Sequence, residues 1–489
     1  MIKTGTNGDD RLKSFTDIDT LIGGLGNDIY FVDQAEDQVV EAPGGGTDTV
    51  YTSASYQLGA GEEIEYLRAF AAIALELTGN EFDNEIIGGV ANDTLEGEGG
   101  NDTLKGGAGP DTMIGGSGDD LYYVDDTGDL VVEAAGGGTD VIYSSVNFTL
   151  GAGQEVETLW VYGSTGRTIG GNDLDNQLFG SVGDDELNGG TGNDLLNGRD
   201  GNDTITTSGA SAIIYGGNGN DSIRLDGSST STGRVNGGDG NDTVYSADLG
   251  QFVISHVETL DTYYGFVSGS VAQFASFAAY TAGQADPDTR ISISLRDAGG
   301  TLDFTTGVGG QNSVEVRDAG LTSRISITGS VNDDVLFGSG FNDTLRGGDG
   351  DDVLLAGSGR DTLQGGDGAD RLNGGADTDQ LAGGAGNDTF VFDSPYGGNT
   401  NRDVIADFVS GSDVIEIDQT NYFIGLSLGE LDPAQFAIGA ATGAGPQIVY
   451  RPTTGALFFD SNGAGAGGAS QFATLTGAPV LVASDFLIV

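Results

Sequence analysis

Aspartate recurs at every ninth residue over long stretches of this 489-residue chain. The longest block, residues 329–391, is seven consecutive nonapeptides, and the sixth position of each is Asp. Glycine fills most of the first four positions, where it permits sharp turns that bring backbone carbonyl oxygens together. A carboxylate added to converging carbonyls makes a hard, all-oxygen site of the kind that binds Ca²⁺. The spacing therefore predicts a row of calcium sites.

The elements that position these aspartates follow from the rest of the repeat. The eighth position in the 329–391 block is always Leu or Phe, flanked by residues that suit a short strand. Two nonapeptides make one coil, so the apolar side chains of successive coils stack into a core that no single unit could bury. A disordered Gly/Asp linker would not keep this phase, and a calcium-free solenoid would leave the recurring acid unexplained. We therefore expect an all-β solenoid.

The same frame appears in residues 5–31, 79–123, 171–224 and 237–245. Asn replaces Asp at positions 84 and 176, and one unit lapses at Ala212. We expect weak points at Asn84 and Ala212. The predicted metal ligands are Asp10, Asp19, Asp28, Asp93, Asp102, Asp111, Asp120, Asp185, Asp194, Asp203, Asp221, Asp242, Asp334, Asp343, Asp352, Asp361, Asp370, Asp379 and Asp388.

These nonapeptides resemble the RTX (repeat-in-toxin), haemolysin-type calcium-binding repeats. The resemblance implies a right-handed parallel β-roll in which calcium lies between the loops of units n and n+2. By that rule Asp334 pairs with Asp352 and Asp343 with Asp361, and the whole chain holds roughly 8 to 13 calcium ions. It implies no particular activity, because RTX modules accompany proteases, lipases, toxins and adhesins.

A longer repeat overlies the short one. Residues 28–67 match residues 120–159 without a gap, so that Asp48 corresponds to Asp140 and Glu65 to Glu157. We interpret both copies as wider β-coil inserts, and Trp160 in the second copy as a packing residue. Residues 246–328 lack the nonapeptide, but alternating segments at 291–299 and 313–320 predict short strands of a calcium-poor solenoid. Residues 274–283 could form a short helix crossing one face.

Composition excludes several kinds of chemistry. Acidic residues outnumber basic ones 74 to 18, giving a formal charge of -56, which disfavours binding to nucleic acid or anionic lipid. The chain has no Cys and one His, so thiolate chemistry and His-rich zinc sites are excluded. No GxSxG elbow and no transmembrane segment are found, and we predict no catalytic residue.

The C-terminal segment lacks the nonapeptide repeat and differs from it in sequence pattern. Residues 388–418 and 454–481 resemble the segment that caps the β-roll in serralysin-type secreted proteases, although no protease domain or zinc motif is present. The chain ends Asp485-Phe486-Leu487-Ile488-Val489, an acid followed by apolar residues, which resembles an uncleaved type I secretion signal. A final buried strand would explain the same residues, and both can hold together. We expect an extracellular protein exported by type I secretion machinery.

The favoured hypothesis is a secreted calcium-binding β-roll protein with a structural or interaction role at a cell surface, in a matrix or on a host. A carbohydrate-active enzyme or its accessory module, with a site on the 246–328 face or the duplicated inserts, is the alternative, which makes polysaccharide a candidate partner. A membrane-acting toxin is disfavoured by the missing apolar segments. The predicted organisation is 1–78 and 79–170 (repeat block plus insert), 171–245 (third block), 246–328 (calcium-poor insert), 329–391 (fourth block) and 392–489 (cap and signal).

Overall fold

The protein is a parallel β-solenoid, as the sequence predicts. The computed structural model describes residues 1–133, 135–226, 230–262, 265–281, 290–308, 312–395, 401–420 and 422–489. The chain forms two compact units, Met1–Thr243 and Val244–Val489. Within the described residues, no helix is long and apolar enough to cross a membrane.

The first unit consists of short strands that wind from one face to the other. Even-numbered strands from β2 to β26 pair in order in one parallel sheet, and odd-numbered strands form the opposite face. The strands are β1 (Ile2–Thr4), β2 (Arg11–Lys13), β3 (Thr20–Ile22), β4 (Ile29–Val32), β5 (Gln38–Val40), β6 (Thr49–Thr52), β7 (Tyr56–Gln57), β8 (Tyr66–Ala69), β9 (Glu76–Thr78), β10 (Glu85–Gly89), β11 (Thr94–Gly99), β12 (Thr103–Gly107), β13 (Thr112–Ser117), β14 (Leu121–Val124), β15 (Leu130–Val132), β16 (Val141–Ser144), β17 (Phe148–Thr149), β18 (Thr158–Val161), β19 (Thr168–Gly170), β20 (Gln177–Phe179), β21 (Glu186–Asn188), β22 (Asn193–Asp200), β23 (Thr204–Thr207), β24 (Ser211–Asn218), β25 (Ser222–Leu225) and β26 (Thr232–Asp239).

The second unit repeats this plan and ends in mixed sheets. Its elements, with β27 beginning at the last residue of the first unit, are β27 (Thr243–Ser246), β28 (Gln251–Ser255), β29 (Thr259–Asp261), β30 (Phe266–Ser270), α1 (Val271–Phe274), β31 (Ala279–Thr281), β32 (Ile291–Asp297), β33 (Thr301–Asp303), β34 (Val314–Leu321), β35 (Ser326–Thr328), β36 (Val335–Phe337), β37 (Thr344–Asp349), β38 (Val353–Leu355), β39 (Thr362–Asp367), β40 (Arg371–Asn373), β41 (Gln380–Ala385), β42 (Thr389–Phe392), β43 (Asp403–Ile405), β44 (Val414–Ile417), β45 (Gly429–Glu430), the 3₁₀ turn Pro433–Gln435, β46 (Phe436–Ile438), β47 (Gln447–Arg451), β48 (Ala456–Asp460), β49 (Ala469–Leu475), the 3₁₀ turn Ala483–Asp485 and β50 (Phe486–Ile488).

The core is the stack of eighth-position side chains. Leu336 pairs in register with Leu354, and Leu354 with Leu372, so each lies above the same position of the next coil. The opposite face repeats this with Leu345 and Leu363. All five are fully buried. The predicted nine-residue frame therefore sets the register of both sheets.

Glycine is required where successive coils touch. Gly366 has φ +132°, and a Cβ built on it would overlap the carbonyl oxygen of Gly348 in the preceding coil. An L side chain there would strain the backbone and push the coils apart. This close approach keeps the turns aligned above one another.

Residues 246–328 follow the solenoid plan without the nonapeptide. The predicted strands are present as β32 and β34, which pair in parallel with one register shift between Leu295 and Asp297. The helix predicted at 274–283 is wrong over residues 275–281, and residues 282–283 lie outside the described part of the chain. The helix α1 ends at Phe274, and the described residues after it form a turn and β31. Ser270 and Gln273 form a capping box that fixes the start of α1, a local signal that the apolar run after Phe274 obscured.

The second unit ends in antiparallel strands. β43 pairs in parallel with β49, whose other neighbour β48 is antiparallel, and β48 pairs antiparallel with β47. β50 joins β44 in parallel. The change of direction closes a stack that would otherwise expose apolar side chains and unpaired strand edges. The described residues of 401–489 thus form a β cap within the segment 392–489 in which it was predicted.

Candidate calcium sites

The sixth-position aspartates lie inside the turns between strands. Eighteen of the nineteen predicted ligands are buried, and Asp10 in the first coil is half-buried. A buried carboxylate must be hydrogen-bonded, paired with a cation or protonated, because moving a bare charge out of water is costly. The partners of each oxygen therefore show what these side chains can do.

In the interior coils, one carboxylate oxygen joins neighbouring coils. The backbone N–H of Asp352 donates to Oδ1 of Asp370, at 2.9 Å, and that of Asp343 donates to Oδ1 of Asp361, at 2.6 Å. The same bond links Asp102 to Asp120 in the first unit. It joins residues 18 apart, which are the units n and n+2 that the RTX resemblance pairs. The strand ladder is thus continued through the turn by a side chain.

The other oxygen has no hydrogen-bond partner in most interior coils. A buried oxygen without a partner indicates a cation independently of the repeat spacing. Each such oxygen costs desolvation free energy, which a bound metal ion would offset. Buried Oδ2 atoms without a partner, among the described residues, belong to Asp28, Asp48, Asp102, Asp111, Asp120, Asp140, Asp194, Asp203, Asp221, Asp352, Asp361, Asp370, Asp379 and Asp388.

These oxygens face cradles lined by glycine. A Cβ built on Gly97 would meet Oδ2 of Asp102 and, at 2.5 Å, the carbonyl oxygen of Gly115 in the next coil. Gly365 has the same neighbours, Oδ2 of Asp370 and the carbonyl oxygen of Gly383 at 2.5 Å. A carboxylate from one coil and a peptide carbonyl from the next thus converge beside a position without a side chain. Hard oxygen donors of this kind fit Ca²⁺.

The electrostatics agree with a cation site. Burial, followed by the charges of neighbouring aspartates, raises the pKa of Asp352 and of Asp102 to about 8. The same causes raise the pKa of Asp361 to about 7. Without a cation these carboxylates hold protons far above the usual range of aspartate.

Several predicted ligands differ from this pattern. Where position two is Ser or Thr, its backbone N–H occupies Oδ2 of the aspartate four residues later, as Ser330 does for Asp334 and Ser339 for Asp343. Thr6 and Ser181 do the same for Asp10 and Asp185. Lys3 pairs with Asp19 at 2.5 Å and holds the pKa of that carboxyl well below its usual range. These aspartates are already satisfied by protein groups and are weaker ligand candidates.

The two expected weak points, Asn84 and Ala212, are closed without an acid. Asn84 accepts from the backbone N–H of Asn80 and donates to the carbonyl of Ile64, so its amide is satisfied on both sides. At Ala212, the long strand β24 pairs directly with β22 and β26, in register with Asp194 and Gly233. Direct backbone pairing thus replaces the side-chain bridge.

Acids that the nonapeptide spacing does not predict as ligands continue the ladder through the wider coils. The backbone N–H of Asp28 donates to Oδ1 of Asp48, and that of Asp48 donates to Glu65, both at 2.7 Å. Asp140 and Glu157 repeat this arrangement in the second copy. Their spacing departs from nine, which hid them, whereas their recurrence in the long duplication was the available signal.

A second ladder of hydrogen bonds, on the outer side of the turns, explains why Asn or Asp often precedes the sixth-position aspartate. The backbone N–H of Asn101 donates to Oδ1 of Asp83, and that of Asp119 donates to Oδ1 of Asn101, both at 2.7 Å. Asp351 and Asp333 repeat the contact in the second unit. The recurring Asn-Asp pair therefore holds successive turns together twice, once outside and once beside the cradle.

Trp160 belongs to a stack of rings along one sheet. It lies between Tyr143 and Phe179, with ring centroids 6.3 Å and 3.9 Å away, and the Arg199 guanidinium covers it at 4.7 Å. Both neighbours are roughly parallel to the indole, so its faces are occupied by protein. This geometry agrees with the predicted packing role and leaves no open ring face for a sugar.

Comparison with known proteins supports the metal chemistry. The family profile of the RTX calcium-binding nonapeptide repeat (four copies) matches residues 4–39, 78–113, 96–131, 170–205, 208–228, 234–248, 328–363 and 355–390. The chain is also 42% identical over 92 residues to the endo-1,3-1,4-beta-glycanase ExsH of Rhizobium meliloti (strain 1021). That match covers 19% of this chain and 19% of the glycanase, so most of each protein lies outside it.

Proposed function

We propose, from the premise that this chain belongs to the RTX calcium-binding nonapeptide-repeat proteins, that it leaves the cell unfolded and folds outside when it binds Ca²⁺. The observation that carries the proposal is the row of buried Oδ2 atoms without partners. A fold built around such atoms is incomplete without a cation. Binding and folding are then one event.

The calcium gradient gives this coupling a direction. A chain of charge -56 with carboxylates stacked coil upon coil repels itself at low cytosolic calcium. Extracellular calcium, at about 10⁻³ M, matches the affinity range of weak extracellular sites. Folding outside the cell would prevent return and favour export.

The proposed role of the folded protein is structural contact with a cell surface, a matrix or a host. A solenoid offers a long, regular surface, and interaction along such a surface is how repeat proteins commonly work. The acidic charge disfavours nucleic acid as the partner. The proposed site residues are the sixth-position aspartates, with Ca²⁺ as the cofactor.

We assign the type I secretion signal to the C-terminal residues. Removing roughly the last 60 residues should trap the protein in the producing cell, while the purified truncation should still bind calcium because the nonapeptides end by Val391. Export of the truncation at the full-length rate, measured in the culture supernatant, contradicts the assignment.

A point variant in the β cap distinguishes the export signal from the stability of the cap. Phe472 is buried against Phe392 and Phe423 in the cap, so Phe472→Ala should loosen the cap while leaving the terminal sequence intact. We expect this variant to be exported normally and to unfold at a lower temperature. Its retention in the cell would mean that cap stability, rather than the terminal sequence, controls export.

A carbohydrate-active function is the second candidate, and the partial match to a glycanase favours it. One surface cavity in the second unit is lined by Gly300, Ser323, Arg324 and Asn342 among others, without a carboxylate or an aromatic ring. A carboxylate pair and an aromatic floor are what glycoside hydrolysis needs. Screening the calcium-loaded protein for binding and cleavage of a mixed-linkage β-glucan tests this candidate, and release of oligosaccharides would establish it.

A further inference from the structure

Each copy of the long duplication contains a group of three buried carboxylates. Asp28, Glu41 and Asp48 place one carboxylate oxygen each within 4.8 Å of the others, and so do Asp120, Glu133 and Asp140. All six side chains are buried. Neither Glu is part of a nonapeptide.

The glutamate replaces a ligand that the ordinary cradle takes from the backbone. At Gly97 a built Cβ meets Oδ2 of Asp102 and the carbonyl oxygen of Gly115. At Gly23 it meets Oδ2 of Asp28, Oε1 of Glu41 at 2.5 Å and the hydroxyl of Tyr30 instead. Glu41 lies 18 residues after Gly23, just as Gly115 lies 18 residues after Gly97, so a charged side-chain oxygen takes the place of a neutral carbonyl. The two extra residues of this coil follow Glu41 and precede Asp48.

The second copy has the same constellation. Around Gly115 the nearest atoms are Oδ2 of Asp120, Oε1 of Glu133 and the hydroxyl of Tyr122. In both copies the tyrosine hydroxyl donates to Oε1 of the glutamate and so fixes its position. Two separate stretches of sequence thus build one geometry.

Unpartnered oxygens point into both groups. Oδ2 of Asp28 and of Asp48 are buried without a hydrogen-bond partner, and the same is true of Asp120 and Asp140. A site with three carboxylates and a phenol carries more negative charge than one built from carboxylates and peptide carbonyls. Calcium affinity in oxygen sites rises with the number of charged ligands.

We propose that Asp28–Glu41–Asp48 and Asp120–Glu133–Asp140 are two tricarboxylate calcium sites that bind Ca²⁺ more tightly than the nonapeptide sites do. They fill first as calcium rises. Each would order its own wide coil before the neighbouring nonapeptide turns are loaded. The inference adds acids outside the nonapeptides to two aspartates of the repeat, Asp28 and Asp120. It rests on the proposed calcium binding and does not depend on how the protein is exported.

The test is equilibrium dialysis of the full chain with ⁴⁵Ca²⁺, comparing the wild type with the double variant Glu41→Gln/Glu133→Gln. The wild type should show a tight class of about two ions, one for each group, and the variant should bind that class at least about tenfold more weakly. The matched control is Glu63→Gln/Glu155→Gln, which removes the same charge from corresponding positions whose carboxylates accept from Gly44 and Gly136. The control should keep the tight class.

Two further measurements keep the proposal falsifiable. The single variants Glu41→Gln and Glu133→Gln should each lose one tight ion, even where the double variant folds poorly. Tb³⁺ luminescence excited through tyrosine should lose more than half its intensity over the first two equivalents in Tyr30→Phe/Tyr122→Phe, because those hydroxyls lie at the sites. A tight class unaffected in Glu41→Gln/Glu133→Gln, or unchanged early emission in the tyrosine variant, would overturn the proposal.

Discussion

Most interior aspartates of the nonapeptides divide their carboxylate between two tasks. In Asp370, Oδ1 accepts from the backbone N–H of Asp352, and Oδ2 faces the cradle beside Gly365. An asparagine bridges coils in a different way, as Asn84 does by donating its amide to the carbonyl of Ile64, and it supplies no charged oxygen to a cradle. The residue type is therefore dictated by the cation, and the position by the ladder.

Position within the block sets how much a single aspartate contributes. Asp361 has coils on both sides and an unpartnered Oδ2, whereas Asp10 lies in the first coil and its Oδ2 accepts from Thr6. Asp361→Ala should therefore raise the calcium concentration for half-folding about tenfold and lower the cooperativity of folding. A tenfold shift corresponds to a loss of about 1.4 kcal/mol of binding free energy per ion affected. Asp10→Ala should have a much smaller effect. Equal shifts in calcium titrations of the two variants would mean that the coils do not act together.

The raised pKa values predict an unusual dependence on pH in the absence of calcium. Asp102 and Asp352 have a pKa of about 8 in the folded chain, against about 3.9 unfolded. The folded state thus binds more protons, so this stabilisation is fully present below pH of about 4 and is lost as the pH rises towards 8. Metal-free protein should show more β-structure by circular dichroism at pH 5 than at pH 8.

The reverse dependence in chelator-treated, calcium-free buffer would show that the carboxylates are ionised in the folded state. Sedimentation at pH 5 provides the control for aggregation, because pH 5 is closer than pH 8 to the sequence pI of about 4.1, where the chain repels itself least. Added calcium should restore the β-structure at pH 8 and so remove the difference between pH 5 and pH 8, because the ion replaces the protons in the same cradles.

At the scale of the coil, glycine determines whether turns can stack. Gly366→Ala places a Cβ against the carbonyl of Gly348 at φ +132°, and should lower the free energy of unfolding in calcium by about 2 kcal/mol or more. Gly340→Ala, in the same block, meets nothing within 4 Å and should change it by less than about 0.5 kcal/mol. Denaturant unfolding of both variants checks the contrast. A destabilised Gly340→Ala with a tolerated Gly366→Ala would contradict the coil geometry.

The sequence predicted these coils well because one period controls both core and turn. Leu345 and Leu363 stack in register, and Asp343 bonds to Asp361, as the nine-residue frame requires. It failed where another residue type takes a position of the frame. Glu41 lies two nonapeptides after Gly23, where the repeat normally has glycine, and the two residues inserted before Asp48 hid this register. The short helix at Val271–Phe274 is set by a capping box rather than by an apolar run.

For the whole molecule, the proposed function links the net negative charge of the chain to calcium binding. The chain carries a formal charge of -56, and its cores consist of short side-chain stacks between turns that contain buried acids. Such a chain gains little by folding until cations enter the turns, because the buried carboxylates must otherwise hold protons or repel one another. Trp160, the single tryptophan, lies in a ring stack of the first unit, so its fluorescence reports the folding of that unit.

The most direct test of the account is a calcium titration of the full chain followed by far-UV circular dichroism. In excess chelator at pH 8 the spectrum should be that of a coil, and calcium at about 1 mM should produce a cooperative β signal. Magnesium at the same concentration should not, because it demands tighter octahedral geometry than these cradles of carboxylates and carbonyls provide. A stable β spectrum in excess chelator at pH 8 would contradict the claim that calcium binding and folding are one event.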